Sequence, residues 1–262
     1  MFVTSYDSQA TARSAGSGGG DSSRPWTELA SGYERARAKE DSLDRLVEWP
    51  AQRDLLGDVD GLSVLDAGCG NGGKVAELVR QGGAVASVGV DIGGSFITAP
   101  PAGLELIQGD LSNLASVPGL ADRWFDRIVF LQSFGYAKDP VGVLQTARRM
   151  LAEGGFILLT RTQPVRYAIE RAEQNGTSLG EEYFSTASFS YRHQGWNEQI
   201  NLTKRPYTMS DLLNIFSAAG LWIETAVEPQ MPEEARQRYP HKQAVLNKYL
   251  GILMFKLRPL PS

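Results

Sequence analysis

The chain has 262 residues, 42% of them hydrophobic, which suits one well-buried domain and leaves little room for two. Its net charge of -4 offers no basic excess for a phosphate backbone, and its lone cysteine, Cys69, excludes an internal disulfide and argues against a cysteine-based metal site, so neither nucleic acid nor metal is expected. No apolar run nears the roughly 18 to 20 residues that cross a bilayer, and the polar start lacks a signal-peptide core; a soluble, cytoplasmic protein with no membrane partner is expected.

Residues 1–23 are rich in Ser, Gly, Ala and Thr and cannot bury enough apolar surface to offset ordering entropy, so they read as a flexible leader before a domain over 24–262. Trp26, Leu29, Ala30 and Tyr33 recur at helical spacing, and a second pattern turns Leu43, Leu46, Val47 and Leu55 inward, predicting N-terminal helices over 24–60. After Gly61, apolar runs at 63–65, 86–90, 104–107, 127–131 and 156–160 alternate with helical segments. That alternation predicts a parallel sheet wrapped by helices. The clearest helices are 74–81 and 140–152, the latter stopped by Gly154-Gly155, while Gly93, Gly94, Pro100 and Pro101 leave room for only a short or broken helix before Leu104. From Pro164 to Arg205 the sequence turns polar and aromatic, with Tyr183, Phe184, Phe189, Tyr191 and Trp196, and reads as an inserted cap over about 164–207. A helix over 209–219 closed by Gly220, a strand over 221–227, a helical patch at 243–248 and a last strand over 250–257 complete the chain.

The chemistry concentrates in VLDAGCGNGG, Val64 to Gly73, where a buried strand hands over to a helix. Its glycines let the backbone turn sharply and approach a ligand, and the helix presents free N–H groups. At the end of the next strand Asp91 is positioned to accept both hydroxyls of a ribose. Gly68, Gly70 and Gly73 also satisfy the spacing of dinucleotide-binding proteins, for which Asp91 is equally suited. Asp66, two residues before the first glycine, tips the balance.

With these residues the sequence resembles the class I S-adenosylmethionine-dependent methyltransferases, in the ordered blocks VLDAGCGNG, VGVD (88–91), IQGDL (107–111), FDRIVFLQSF (125–134) and LAEGGFILLT (151–160). The resemblance implies an α/β, Rossmann-like three-layer sandwich with a seven-stranded, mostly parallel sheet whose last strand enters antiparallel. It implies S-adenosyl-L-methionine as cofactor, with the adenine amino group held by Asp110, the ring served by the N–H of Leu111, and the methionyl part bordered by Leu131, Gln132 and Ser133. Asp91 would serve the ribose, with Ile92 beside it, above a glycine-rich stretch shorter than in most relatives. Asp66 can balance the cofactor's positive end, Gly68 and Gly70 let the backbone approach, and Tyr33 and Arg37, one helical turn apart, could reach the methionyl carboxylate. Cys69 reads as a small filler between glycines.

Methyl transfer is an in-line displacement at an activated carbon, which asks the protein for alignment and exclusion of water. A general base helps only where the acceptor holds its proton, and His193, among the cap aromatics, is the candidate; His241 reads as structural or exposed. The cap aromatics could line a flat apolar pocket or form the cap's own core. The cap and the stretch 205–210 resemble bacterial small-molecule methyltransferases of the ubiquinone and menaquinone group, which implies a metabolite or natural-product acceptor; its acceptor atom, oxygen, nitrogen or carbon, stays open, and a monomer or homodimer is expected. Three rivals stay open: an NAD-dependent oxidoreductase on the same glycines, a protein that binds S-adenosylmethionine to sense it or promote a rearrangement, and a nucleic-acid methyltransferase, disfavoured by the charge and by Leu131-Gln132-Ser133-Phe134 after the fourth strand.

Overall fold

In the computed structural model, which describes residues 24–191 and 202–261, the two N-terminal helical patterns become α1 (Arg24–Ala38), a π-helical turn (Asp44–Glu48) and α2 (Trp49–Leu56). Leu29 of α1 is buried, and in the second pattern Val47, Gln52 and Leu56 are, with Leu55 only half-buried, because the wider π turn rotates the following helix relative to an unbroken 3.6-residue repeat. The alternating segment then gives β1 (Ser63–Ala67), α3 (Gly73–Gly82), β2 (Val85–Asp91), β3 (Leu104–Gln108), a 3-10 turn (Leu111–Ser116), β4 (Phe125–Leu131), a 3-10 turn (Phe134–Tyr136), α4 (Pro140–Arg149) and β5 (Leu151–Thr162). Next come α5 (Pro164–Asn175), α6 (Leu179–Tyr183), the paired strands β6 (Phe189–Tyr191) and β7 (Leu202–Lys204), α7 (Met209–Ala218), β8 (Leu221–Val227), α8 (Glu233–Arg238), α9 (Pro240–Tyr249) and β9 (Ile252–Pro259).

The main sheet has seven strands in the order β3-β2-β1-β4-β5-β9-β8, parallel except for β9, which runs antiparallel to both neighbours. The expected α/β architecture with an antiparallel last strand is the one observed. The direction of chain growth reverses between β1 and β4, the point where ligands of open sheets collect at the carboxyl ends of the strands. Alternate residues of the central strands supply two cores. Leu65, Val88, Phe130 and Leu159 face α4 and α7, whose Leu144 and Phe216 cover them; Val64, Val129 and Leu158 face Leu56 and Leu78 of α2 and α3.

Three boundaries differ from expectation. Helix α4 ends at Arg149, because Leu151 already pairs with Phe125, and Gly154 and Gly155 lie in a bulge of β5 that lets Phe156 pair with Arg127. Between Asp91 and Leu104 there is no helix at all, as the two prolines and three glycines there deny it both donors and propensity. The last strand starts at Ile252, since Leu250 takes a positive φ of 63° and gives its N–H to Leu246 to close α9. No helix among the described residues is long and apolar enough to cross a membrane.

The sheet interior sets the stability. Phe130, fully buried on the central strand β4 against Phe134, is expected to cost about 3 to 5 kcal/mol on replacement by Ala, read as a lower midpoint in urea at unchanged slope.

Candidate functional site

The carboxyl ends of β1, β2, β3 and β4 converge on the glycine turn after Ala67. The N–H groups of Gly68 and Cys69 both donate to the Val90 carbonyl, at 2.7 and 3.0 Å, which ties the turn to β2. Gly68 has φ 85°, and a Cβ there would sit 2.3 Å from the Ser133 Cβ and 3.3 Å from Leu111 Cδ2. Only glycine therefore lets the turn, the loop after β3 and the loop after β4 meet. Ser133 fastens the junction by donating its hydroxyl to the Ala67 carbonyl at 2.5 Å.

Asp91 grips the same turn. Its Oδ2 accepts the Gly70 N–H at 2.9 Å and its Oδ1 the Gly93 N–H at 2.8 Å, so each oxygen keeps a further acceptor direction. Burial still pushes its carboxyl above the ordinary range despite both donors. Ile92, half-buried beside it, accepts the Gln108 side-chain amide at its carbonyl. Asp110 caps the 3-10 turn, accepting the Ser112 N–H at 2.8 Å and the Lys138 ammonium at 3.1 Å; burial works against its charge, but these donors hold its carboxyl low. Leu111 opens that turn, so its N–H has no acceptor within it.

Asp66 is 2% exposed, and its Oδ1 has no hydrogen-bond partner among the described residues. Burial, opposed by Lys74 and reinforced by Asp91, lifts its carboxyl to about 7. Around it the N-terminal helices bring Tyr33 and Arg37, which the sequence singled out, together with Glu34, Asp44, Glu48 and Gln52, which it did not. Arg37 lies 3.2 Å from Asp44 and 3.5 Å from Glu34, with its guanidinium 5.2 Å from the Tyr33 ring centre. Burial pushes the Tyr33 phenol up to about 12. Lys74 donates to Asp44 at 2.6 Å and to the buried Gln52 at 2.9 Å, and burial lowers its pKa. Gln132, next to the half-buried Leu131, takes a positive φ of 65° and donates from its side chain to Glu48 at 3.3 Å, while burial raises the Glu48 carboxyl. A non-glycine residue at positive φ stores strain of a kind that gathers at functional sites. Lys74 could have been found from its place in the first turn of the helix behind the glycines. Asp44, Glu48 and Gln52 carry no such signal, because only the packing of the first two helices against α3 aims them here.

Buried polar atoms without a hydrogen-bond partner among the described residues mark this end of the sheet: Arg37 Nε, Gln52 Nε2, Asp66 Oδ1, Thr160 Oγ1, an Arg161 nitrogen and the Tyr207 hydroxyl. A cavity of about 540 Å³ at the opposite end, lined by Ser63, Ala86, Gly103 and Trp124, includes none of them. The structure thus brings Tyr33, Arg37, Asp66, Gly68, Gly70, Asp91, Asp110, Leu111 and Gln132 to one end. His193 and Trp196 lie outside the described residues. Of the other insertion aromatics, Phe184 is 72% exposed, Tyr183 accepts the Met209 N–H at 2.9 Å, and Phe189 packs on Tyr167 with its ring centre 5.3 Å away. Cys69 fills the space beside Gly89, and His241 is an exposed residue 3.6 Å from Asp41.

Residues 65–159 match the family model described as a methyltransferase domain. The chain is 33% identical to a fatty-acid O-methyltransferase of Mycolicibacterium smegmatis over 123 residues, 45% of this chain and 43% of that protein. An uncharacterized protein of Haemophilus influenzae is 24% identical over 217 residues, 77% of this chain and 84% of its own length. The crystal structure of an S-adenosylmethionine-dependent methyltransferase from Mesorhizobium loti superimposes with a TM-score of 0.62 at 19% identity, covering 80% of this chain and 97% of that one.

The raised Asp66 carboxyl has a sign that can be checked. A carboxyl lifted from 3.8 to about 7 in the folded chain contributes stability when protonated, fully present below pH 3.8 and lost as pH rises through 7. Asp66→Asn is therefore expected to flatten the fall in ligand-free stability across that window, by up to about 1.4 kcal/mol per pH unit. Urea melts of both proteins over that range measure it, and parallel profiles would show that Asp66 ionises in the fold as it does in solution.

Proposed function

We propose that this chain, which belongs to the class I S-adenosylmethionine-dependent methyltransferases, transfers the cofactor's methyl group to a small organic acceptor held beneath the insertion between β5 and α7. When bound, S-adenosylmethionine supplies a methyl carbon already activated on a sulfonium. The protein's own part is to hold that carbon in line with the acceptor and to exclude water.

The observation that carries this reading is Asp66, a buried carboxylate with an unpartnered oxygen beside the glycine turn. A cationic ligand satisfies it. A dinucleotide pyrophosphate, by contrast, would bring more negative charge to a turn flanked by Asp66, by Asp91 and by Glu34, whose Oε1 lies 3.7 Å from where a Gly70 Cβ would be. In this assignment Asp66 faces the positive methionyl end and Asp91 accepts the ribose hydroxyls beside Ile92. Arg37, Lys74 and Tyr33 meet the methionyl carboxylate, exchanging part of their pairing with Asp44 and Glu34 for it. Asp110 and the Leu111 N–H serve the adenine, Gly68 and Gly70 admit the ligand to the backbone, and Leu131 and Gln132 border the methionyl arm. His193 is retained as candidate base for an acceptor that carries a proton.

A small acceptor is supported by the likeness to the fatty-acid O-methyltransferase, and by an insertion that closes onto the strand ends. Leu202 of β7 packs with Trp26 and Leu29 of α1, and Lys204 places its ammonium 5.0 Å from the ring centre of Tyr136. A cap packed on two sides suits a molecule that can be enclosed better than a polymer.

Asp91→Ala is expected to weaken S-adenosylmethionine binding by about 1.5 to 3 kcal/mol, the scale of hydrogen bonds to a charged group. Calorimetry on the folded variant measures this, and wild-type affinity would remove the ribose assignment. Wild-type protein is expected to accumulate S-adenosylhomocysteine with a small organic acceptor. Cofactor binding without that product across acids, phenols and amines would favour a sensor instead. Once an acceptor is known, His193→Ala is expected to remove one limb of the pH–rate profile, and an unchanged profile would strip His193 of its role.

A further inference from the structure

The insertion closes over a second group of buried polar residues that the cofactor assignments do not use. Arg161 is the penultimate residue of β5, next to Thr160, which pairs with Leu131 at the end of β4. It is 5% exposed. Its Nε donates weakly to the Thr162 carbonyl at 3.4 Å, its guanidinium lies 4.9 Å from the centre of the Tyr207 ring, and a terminal nitrogen has no hydrogen-bond partner among the described residues. No carboxylate among the described residues forms an ion pair with it. The phenols of Tyr167 and Tyr207 stand near it.

Tyr207, 6% exposed, also has a hydroxyl without a hydrogen-bond partner among the described residues. Further positive charge lies close by. The Arg205 guanidinium is 5.7 Å from the centre of the Tyr207 ring, and Lys204 donates to the Tyr167 hydroxyl at 3.0 Å.

A guanidinium taken out of water without a counterion is costly, and an apolar side chain of similar shape would stabilise the fold better if packing were the only demand. Arginine stays always charged and presents its donors as a planar fork that matches a carboxylate. A neutral amide or an amine would leave that charge uncompensated.

We propose that Arg161 and Tyr207 form a subsite for the carboxylate of the acceptor, which makes small organic acids the substrate class of this enzyme. The assignment rests on the methyltransferase reading and adds to it the charge of the molecule beneath the insertion. Tyr207 donates its hydroxyl to the same carboxylate, and the aromatic rings of Tyr136 and Tyr167 flank the approach.

The test is calorimetric, with two probe pairs that differ only in charge: octanoate against octanamide, and benzoate against benzamide, each titrated into full-length protein saturated with S-adenosylhomocysteine. The wild type is expected to prefer at least one carboxylate over its amide by about tenfold or more. R161Q is expected to lose that preference while keeping S-adenosylhomocysteine affinity within about twofold of wild type. Y207F is expected to reduce the preference by a few fold. If R161Q melts early, R161K decides: it keeps the charge without the fork, and an intermediate preference supports the subsite. Equal binding of acid and amide by the wild type, binding of neither, or a full preference surviving in R161Q or R161K would overturn the proposal. Failure of the wild type to bind S-adenosylhomocysteine would instead strike the cofactor reading, and the acid–amide comparison in ligand-free protein would still test the subsite.

Discussion

The closest approach in the site is the meeting of the backbone at Gly68 with the Ser133 side chain, where no Cβ can be accommodated. Around that contact the rest is arranged. The turn is held from one side by the Val90 carbonyl and the Asp91 carboxylate, and from the other by the Ser133 hydroxyl on Ala67. The loops after β2 and β4 are thereby tied to the turn by hydrogen bonds, and the segment after β3 joins them through the Gly109 N–H, which donates to the Asp91 carbonyl at 2.9 Å. Such preorganisation is what a displacement reaction needs, since misalignment of the reacting atoms raises its barrier steeply.

The charges around the turn follow a second constraint, the cost of burying them. Asp66, Glu48 and Asp91 all have carboxyls pushed up by burial, while Asp44, held between Lys74 and Arg37, has its carboxyl kept low despite burial. One carboxylate is thus engaged as a counterion and another, Asp66, is left with an oxygen unpartnered. The N-terminal helices are therefore part of the site, because they deliver Tyr33, Glu34, Arg37, Asp44, Glu48 and Gln52 to it.

The insertion has a different electrostatic character. On the glycine side carboxylates predominate; among the described residues near β6 and β7 stand the buried Arg161 and Tyr207 and the half-buried Lys204, Tyr136 and Tyr167, while the buried Glu170 and Glu182 are already paired with Arg166 and Arg171. A cofactor that carries a cation and an acceptor that carries an anion would each meet the complementary half, and opposite signs would favour their approach in a space from which water is excluded.

The amino-acid sequence by itself determined the sheet, the glycine turn and the strand-end acids, because these depend on local periodicity and on residue types that the backbone geometry demands. The runs at 63–65, 86–90, 104–107 and 127–131 lie within observed strands, Asp66 is the penultimate residue of β1, Asp91 the last of β2 and Asp110 the cap after β3, and the strand at 221–227 matches residue for residue. Only the tertiary structure decided which charged residues join them. Glu48 and Gln52 look like ordinary polar positions of a surface helix, and Arg161 looks like a polar break at the end of a strand. Each acquires its meaning from packing between elements far apart in the chain: the first two helices on α3, and β7 with its following loop on β5. Burial, which turns a solvated charge into a demand for a partner, is a property of those contacts and has no signature in the local sequence.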